Sequence, residues 1–477
     1  MKMLRRVAKN VAALFTAHFV VAFLLLALSV VIARTLGDVA FGKYSFVVAL
    51  TAIFAIFSDL GYNTLMVRDV ARDPAQAGRY LKNILGIRLM LSLIIFTVIV
   101  IIINVTGYHA DMKNLIYVFA IYTLILSISD VFKMVFRASE RMQYESAITI
   151  ISNIVRVVLG VLVLLRGYGL MGIALVFLFY SLLDLLLSFL VCKTRFVRPG
   201  VALDPGFWKG TVTVALPMGL ITILSLVYAR TDTIMLAIMD GVAVVGWYNA
   251  AYNLVLGFTP IPHLFMNAIL PLMSRLYVSS KDSLVMGYEK AFTYLLISGL
   301  PIAMGMSLLA DEIILFLYGE QFANSVIALE ILAWDVLLIF ICLPLGFMLV
   351  AINRQNRMAV IVGGCALLNI ILNLILIPGF SYIGAAIATL ITETVLFLAY
   401  FYVISKYLYK LPLHRIVMRP LIATTVTALF IQLCSGLNLI VVIISATALY
   451  LVVLYLIGGF DKDDRRLLSA LISGKGM

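Results

Sequence analysis

Seven ionisable residues stand inside apolar runs of this chain: Asp59, Arg88, Asp130, Arg156, Asp184, Asp335 and Glu393. Arg34, Arg230 and Asp232 stand at the ends of such runs, and His18 lies within the first. A charge near the centre of a bilayer costs about 2.5–3.5 kcal/mol on insertion scales, so residues of this kind pair with one another or face a hydrated cavity. Asp59 lies nine residues from Arg68, about 13 Å from the end of its run, and Arg88 six residues beyond Lys82, about 9 Å from the same face. Matched depth on neighbouring runs makes an Asp59–Arg88 ion pair one reading and a cavity-facing role the other. Asp130 and Asp184, nearer the ends of their runs, read as interfacial, and His18 as a packing histidine. Asp335 and Glu393 fall near mid-run and are the better candidates for coupling to an ion.

Other chemistry is not signalled. There is no G-x4-G-K-[ST], no G-x-G-x-x-G after a strand and no HExxH; Ser473-Gly-Lys475 lacks the first glycine. The four cysteines, Cys192, Cys342, Cys365 and Cys434, show no CxxC or Cys/His spacing, so neither a disulfide nor a metal centre is expected. No catalytic residue, resident metal or cofactor is expected.

The elements that must carry these charges follow from composition. Of 477 residues, 64% are hydrophobic and 12% charged, and the mean hydropathy is +1.13. Soluble domains are nearer half apolar and a quarter charged. At roughly 20 apolar residues per span, the chain holds about fourteen membrane helices and no large soluble domain. The runs fall at 11–33, 43–66, 83–105, 114–136, 143–165, 168–192, 210–230, 245–270, 288–310, 325–351, 357–377, 382–405, 415–435 and 437–458. The N-terminal run is too long for a signal-peptide core and reads as a retained first span.

The formal charge of +12 is distributed in a way that argues against nucleic acid. Of 35 Lys and Arg, 28 fall in alternate connections and termini, five in the intervening connections and two inside spans. Basic loops mark the cytoplasmic face, so both termini are expected there, in a multi-pass protein of the cell membrane.

Gly37-Asp-Val-Ala-Phe-Gly42-Lys-Tyr44 follows the first span and Gly241-Val-Ala-Val-Val-Gly246-Trp-Tyr248 the seventh, 204 residues apart. Gly172-Ile-Ala174 and Gly384-Ala-Ala386 repeat at an offset of 212. Six spans separate each pair, so the copies have the same orientation, the parallel repeat of alternating-access transporters. The expected plan is all-α: an N-terminal lobe of six spans (1–193), an interfacial linker (194–209), a second six-span lobe (210–409), two further spans (410–460) and a cytoplasmic tail (461–477). Spans 1–6 lack proline, whereas spans 7–10 hold Pro217, Pro260, Pro262, Pro301 and Pro344. Each removes a helical hydrogen bond and invites a kink, either static or used in bending.

Three groups of residues carry a family resemblance. Arg34 through Tyr44, Ser58-Asp-Leu-Gly-Tyr62 and Phe136-Arg-Ala-Ser-Glu-Arg-Met142 resemble the first half of polysaccharide-type lipid-linked oligosaccharide flippases. Asp232-Thr-Ile-Met-Leu through Gly246-Trp-Tyr-Asn-Ala-Ala251 is similar to their seventh and eighth spans. Asn369, Asn373, Ile377-Pro378 and Gly384 through Thr389, ending in Glu393, look like their eleventh and twelfth. This family belongs to the superfamily of multidrug, oligosaccharidyl-lipid and polysaccharide exporters.

The resemblance implies two lobes around a central cavity, and movement of a polyprenyl-diphosphate-linked glycan between leaflets without catalysis. A sugar-diphosphate crossing hydrocarbon calls for a cationic cleft, and arginine suits a diphosphate by bidentate pairing. Arg34, Arg88, Arg156 and Arg230 are the arginines available to bind it, with Arg68, Arg137 and Arg141 attracting it at the basic loops. Asp59, Asp232, Asp335 and Glu393 are left as ion-coupling or structural residues, in a cycle driven by a proton or sodium gradient. Partners would be the lipid-linked glycan, membrane lipids, and a glycan polymerase or glycosyltransferases. Two rivals differ in what they need. A multidrug exporter of the same superfamily would want an acidic cavity, as Asp335 and Glu393 would supply. A membrane glycan transferase would want an outward catalytic loop, for which only Asp311, Glu312 and Glu320 offer acids.

Overall fold

The computed structural model describes residues 2–434 and 436–459, with side chains from Phe19 onward. His18, the basic side chains of the N-terminus and the tail expected over 461–477 lie outside the described residues. Every described element is helical: α1 (Lys2–Ile56), α2 (Tyr62–Arg72), α3 (Ala77–Val105), α4 (Ala110–Ala138), α5 (Met142–Leu165), α6 (Gly169–Arg195), α7 (Pro205–Met239), α8 (Val242–Phe258), α9 (Pro260–Ser279), α10 (Lys281–Leu308), α11 (Ala310–Leu317), α12 (Ser325–Ala351), α13 (Gln355–Tyr407), α14 (Leu413–Leu433) and α15 (Leu439–Leu456), with two short 3-10 turns.

Twelve stretches are long and apolar enough to cross a membrane, and two of them hold two spans each. In α1 the chain reverses at Gly37, whose φ of 84° is a left-handed value that glycine adopts without strain. Leu28 before it and Tyr44 after it reach neighbouring helices of the bundle: Leu28 meets Gly160 of α5, where Ile173 of α6 also packs, and the Tyr44 ring lies 5.9 Å from Phe177 of α6. In α13 the reversal is at Ser381, and Gly384 comes against the Leu376 carbonyl. A straight helix would hold those residues two turns apart. Fourteen spans result, and their alternation gathers the basic connections at one end of the bundle, called here the basic end.

The second span of the first half is discontinuous, and that of the second half is bent. In the first, helix stops at Ile56, passes through Leu60 and Gly61 at positive φ and restarts as α2. Asp59 sets this break, because its carboxylate accepts from the backbone N–H of Gly61 (3.3 Å) and Asn63 (3.1 Å) at the start of α2. In the second, α8 gives way to α9 at Thr259, just before Pro260. The run read as 43–66 therefore contains an interruption at 57–61 that hydropathy does not register. Thr259 itself keeps helical dihedral angles, so the second half has a proline bend where the first has an unwound turn.

Helices α1–α6 pack as one bundle and α7–α13 as a second, with α14 and α15 against α10. The bundles touch near both ends. Away from the basic end, Gly42 crosses Gly246, so that a Cβ on either would strike a carbonyl of the other helix. Below this crossing Asn253 donates to Ser29 (3.3 Å). Towards the basic end, Gly61 lies against Ala215 and Gly219 on either side of Pro217 in α7. Neither crossing has room for a side chain, so the two bundles stand in backbone contact near both ends.

Candidate functional site

Arg156 of α5 and Arg230 of α7 each lie nine residues before the last residue of their helix. At 1.5 Å per residue both stand about 13 Å from the end opposite the basic one. They come from different bundles, and both lie within electrostatic reach of the Tyr44 phenol on the second arm of α1. The first motif copy thus supplies a tyrosine within electrostatic reach of an arginine from each bundle.

Arg156 is 4% exposed and held flat by aromatic rings. Its guanidinium carbon lies 4.3 Å from the Tyr180 centroid and 5.0 Å from that of Phe177, and a terminal nitrogen donates to Asn153 Oδ1. Phe119, Tyr122 and Tyr44 extend this aromatic wall, with neighbouring centroids 5.4–5.9 Å apart. Stacking fixes the plane of the fork and leaves its edge available. The buried Nε of Arg156 has no hydrogen-bond partner, and neither has that of Arg230. Among the described residues no carboxylate lies within 4.0 Å of Arg34, Arg156 or Arg230. A buried guanidinium with unfilled donors and no counter-ion is costly, unless an anion completes it.

The other two arginines stand differently. Arg34 is exposed at the end of the first arm of α1, where it donates to the Phe316 carbonyl (3.2 Å). Arg88 is engaged: it meets Asp59 at 2.6 Å, Asn63 at 2.8 Å and Ser58 at 3.3 Å. The Asp59–Arg88 pair read from matched depth is present, and it stitches α3 to the break in the second span.

The second bundle carries the opposite charge. Asp232 of α7 accepts from Asn373 (2.6 Å), Thr389 (2.7 Å) and Tyr248 (2.9 Å). Tyr248 is the counterpart of Tyr44, so one motif tyrosine lies within electrostatic reach of two arginines and the other donates to a carboxylate. Glu393 accepts from Tyr228 (2.8 Å), and Asp335 lies within electrostatic reach of both Glu393 and Asp232. Among the described residues no Lys, Arg or His lies within 4.0 Å of these three acids. Oδ1 of Asp335 and Oδ1 of Asn373 are buried without partners. Carboxylate, amide and hydroxyl oxygens with spare lone pairs are the donor set a hard cation takes. No cluster of three His, Cys, Asp or Glu residues suited to a transition metal occurs among the described residues.

Three placements differ from the sequence reading. Arg230 and Asp232 were expected at the outer end of a span closing at 230, but α7 runs on to Met239 and both lie inside it. Hydrogen-bonding partners on α8 and α13 let Asp232 stay within the helix. Asp184, read as interfacial, is fully buried and pairs with Lys133 at 2.7 Å. Lys133, counted among loop residues, is 6% exposed inside α4. Ser129 completes this site by donating to Asp184 (2.6 Å) and accepting from the Ser188 hydroxyl (3.1 Å). The signal was in the spacing: Ser129 and Lys133, like Asp184 and Ser188, are four residues apart and share a helix face. Asn369, Asn373 and Thr389 gave the same kind of signal around Asp232.

A family model described as "Polysaccharide biosynthesis protein" matches residues 7–277. The chain is 24% identical over 412 residues to the capsular polysaccharide biosynthesis protein CapF of Staphylococcus aureus, covering 83% of this chain and 98% of that protein. It is 25% identical over 372 residues to a probable low-salt glycan biosynthesis flippase, Agl15, of Haloferax volcanii, covering 76% of each. Among solved structures, a lipid II flippase, MurJ, in an inward closed conformation superposes with a TM-score of 0.77 at 16% identity, over 93% of this chain and 98% of that one. An inward-facing multidrug transporter of the MATE family superposes with a TM-score of 0.66, also at 16% identity, over 81% and 95%.

Proposed function

The chain belongs to the polysaccharide biosynthesis protein family, and from that premise we propose that it carries a polyprenyl-diphosphate-linked oligosaccharide between membrane leaflets by alternating access. The observation that carries this reading is the pair Arg156 and Arg230: two arginines from opposite bundles, each with an unfilled buried Nε and neither with a carboxylate partner. A diphosphate offers several anionic oxygens, enough for two guanidinium forks at once, and it would bridge the bundles as it binds. The glycan would occupy the crevice beside the aromatic wall while the prenyl chain stays in lipid. Nothing is made or broken in this step, so the chain would act as a carrier and not as an enzyme.

The charge of the basic end supports a cytoplasmic location for it, and with it the reading of a multi-pass cell-membrane protein with both termini in the cytoplasm. The cycle follows from the two crossings. Parting of Gly61 from α7 would admit the head group from the basic end, and parting of Gly42 from Gly246 would release it on the other side. A proton or sodium ion at the Asp232 cluster would supply the drive, its oxygens having no basic side chain beside them. The glycosyltransferases that build the substrate, or a polymerase that extends it, are the partners this task implies. Arg34 at the far mouth would guide the departing diphosphate.

The test is binding to the purified full chain, with geranylgeranyl diphosphate and geranylgeranyl monophosphate as probes. Wild type is expected to hold the diphosphate at least tenfold more tightly, and Arg156→Gln or Arg230→Gln to erase most of that preference. Equal affinity of the wild type for the two probes would overturn the reading.

A further inference from the structure

Between α10 and α14, at the basic end, lies a chamber of about 1110 Å³. Lys281, Lys290, Arg415 and Arg419 line it with His414, against Asp282 and Glu289. Among the described residues, Lys281, Arg415 and Arg419 bring three cations to the two carboxylates even with Lys290 left aside. The first turns of α10 and α14 also open onto the chamber, so two helix N-termini add positive potential. Its described residues come from α10, the end of α13, the start of α14 and Gly459 after α15; none belongs to α1–α9, so it stands apart from Arg156 and Arg230.

Directly beyond it, sharing Ile297, runs an apolar groove of about 480 Å³ between α10, α14 and α15. The groove has a local cause. Pro301 has no N–H, which leaves the Ile297 carbonyl one turn back without its helical donor. Tyr450 of α15 fills that vacancy, its hydroxyl donating to the Ile297 carbonyl at 2.7 Å. The kink is thereby pinned to α15, and beyond it Gly305 leaves open space that no side chain fills. From Arg419 in the chamber to Ile431 in the groove is twelve residues of α14, about 18 Å. That is slightly more than half of a roughly 30 Å hydrocarbon core, the reach of one leaflet.

We propose that chamber and groove together hold one anionic phospholipid of the leaflet at the basic end, its phosphate among Arg415, Arg419 and Lys281 and an acyl chain along α10 past Pro301. Basic recesses between spans at this face are where anionic head groups bind. The chamber's separation from Arg156 and Arg230 marks the occupant as a resident membrane lipid and not the transported carrier. The two C-terminal spans, which lie outside the repeat, would then serve to build this site.

The experiment uses the full chain equilibrated with equal amounts of phosphatidylglycerol and phosphatidylcholine, with retained lipids counted by native mass spectrometry. Wild type is expected to retain phosphatidylglycerol at least threefold over phosphatidylcholine. Arg415→Gln with Arg419→Gln should bring the ratio to near one, and Arg415→Lys with Arg419→Lys should keep it. Gly305→Phe, which fills the groove, should lower total retained lipid. Arg195→Gln with Arg198→Gln, on the linker surface, should leave the ratio unchanged. A ratio near one in wild type, an equal loss in the linker variant, or displacement of phosphatidylglycerol by equimolar farnesyl phosphate would each overturn the proposal. Because these readouts concern phospholipid alone, their failure leaves the diphosphate-binding result untouched.

Discussion

Gly42 and Gly246, the second glycines of the two motif copies, lie backbone against backbone: the Val242 carbonyl occupies the space where a Gly42 side chain would be, and the Asp38 carbonyl the space where a Gly246 side chain would be. A repeat in sequence has become a contact in space, on the side of the bundle away from the basic connections. Gly42→Ala would press a methyl into the Val242 carbonyl, and overpacking of this order costs roughly 1–3 kcal/mol. Every 1.4 kcal/mol is about a tenfold shift in a two-state equilibrium, so the crossing should open measurably. In a Cys434→Ser background, labelling of Asn253→Cys by a membrane-impermeant thiol reagent should rise about tenfold when Gly42→Ala is added.

The Asp59–Arg88 bridge is expected to hold structure without touching the transported head group. Removing one partner of a buried pair strands the other and typically costs about 3–5 kcal/mol, whereas replacing both with apolar residues is often neutral. Asp59→Leu should therefore lower the unfolding midpoint in detergent sharply, and Asp59→Leu with Arg88→Leu should recover most of the loss. Retention of diphosphate binding by the double variant would separate Arg88 from the binding arginines.

Pro301 and Tyr450 make a second coupled pair. Tyr450→Phe leaves the Ile297 carbonyl without a donor, and interhelical hydrogen bonds in membranes are worth about 0.6–1.7 kcal/mol. Pro301→Ala would restore an N–H to that carbonyl, so Tyr450→Phe should cost less in its presence. A double-mutant cycle on unfolding free energy should show a coupling of about 1 kcal/mol.

At the Asp232 cluster, Asp232→Asn keeps the shape and hydrogen-bonding reach and removes the charge. It is expected to abolish stimulation of transport by a sodium or proton gradient. Diphosphate binding in the absence of a gradient should stay within about twofold of wild type, less than 0.5 kcal/mol.

How much of this was legible before folding depends on what sets each feature. Bilayer thickness dictates the apolar runs, so fourteen spans and the basic end could be counted from sequence. Depth follows from helical rise, and on that basis Asp59 and Arg88 were matched correctly. Reading through 57–61 failed because Leu60 and Gly61 are apolar enough to continue a hydropathy run, while their positive φ ends the helix. Arg230 and Asp232 looked like a boundary because charges usually sit there. Tyr248, Thr389 and Asn373, distant in sequence, satisfy Asp232 and let α7 continue. Of the four candidate arginines, nothing local in sequence distinguished Arg156 from Arg88. The difference lies in their neighbours, aromatic rings on α6 for one and a carboxylate for the other.

The central claim is that Arg156 and Arg230 jointly hold the diphosphate while it crosses. The direct measurement is the rate at which a fluorescent polyprenyl-diphosphate oligosaccharide becomes accessible to an external glycosidase in vesicles bearing the full chain. Wild-type vesicles are expected to expose it well above protein-free vesicles, and Arg156→Gln with Arg230→Gln to lose at least tenfold of that rate, with Asp59→Leu/Arg88→Leu close to wild type. A double arginine variant that flips the lipid at the wild-type rate would contradict it.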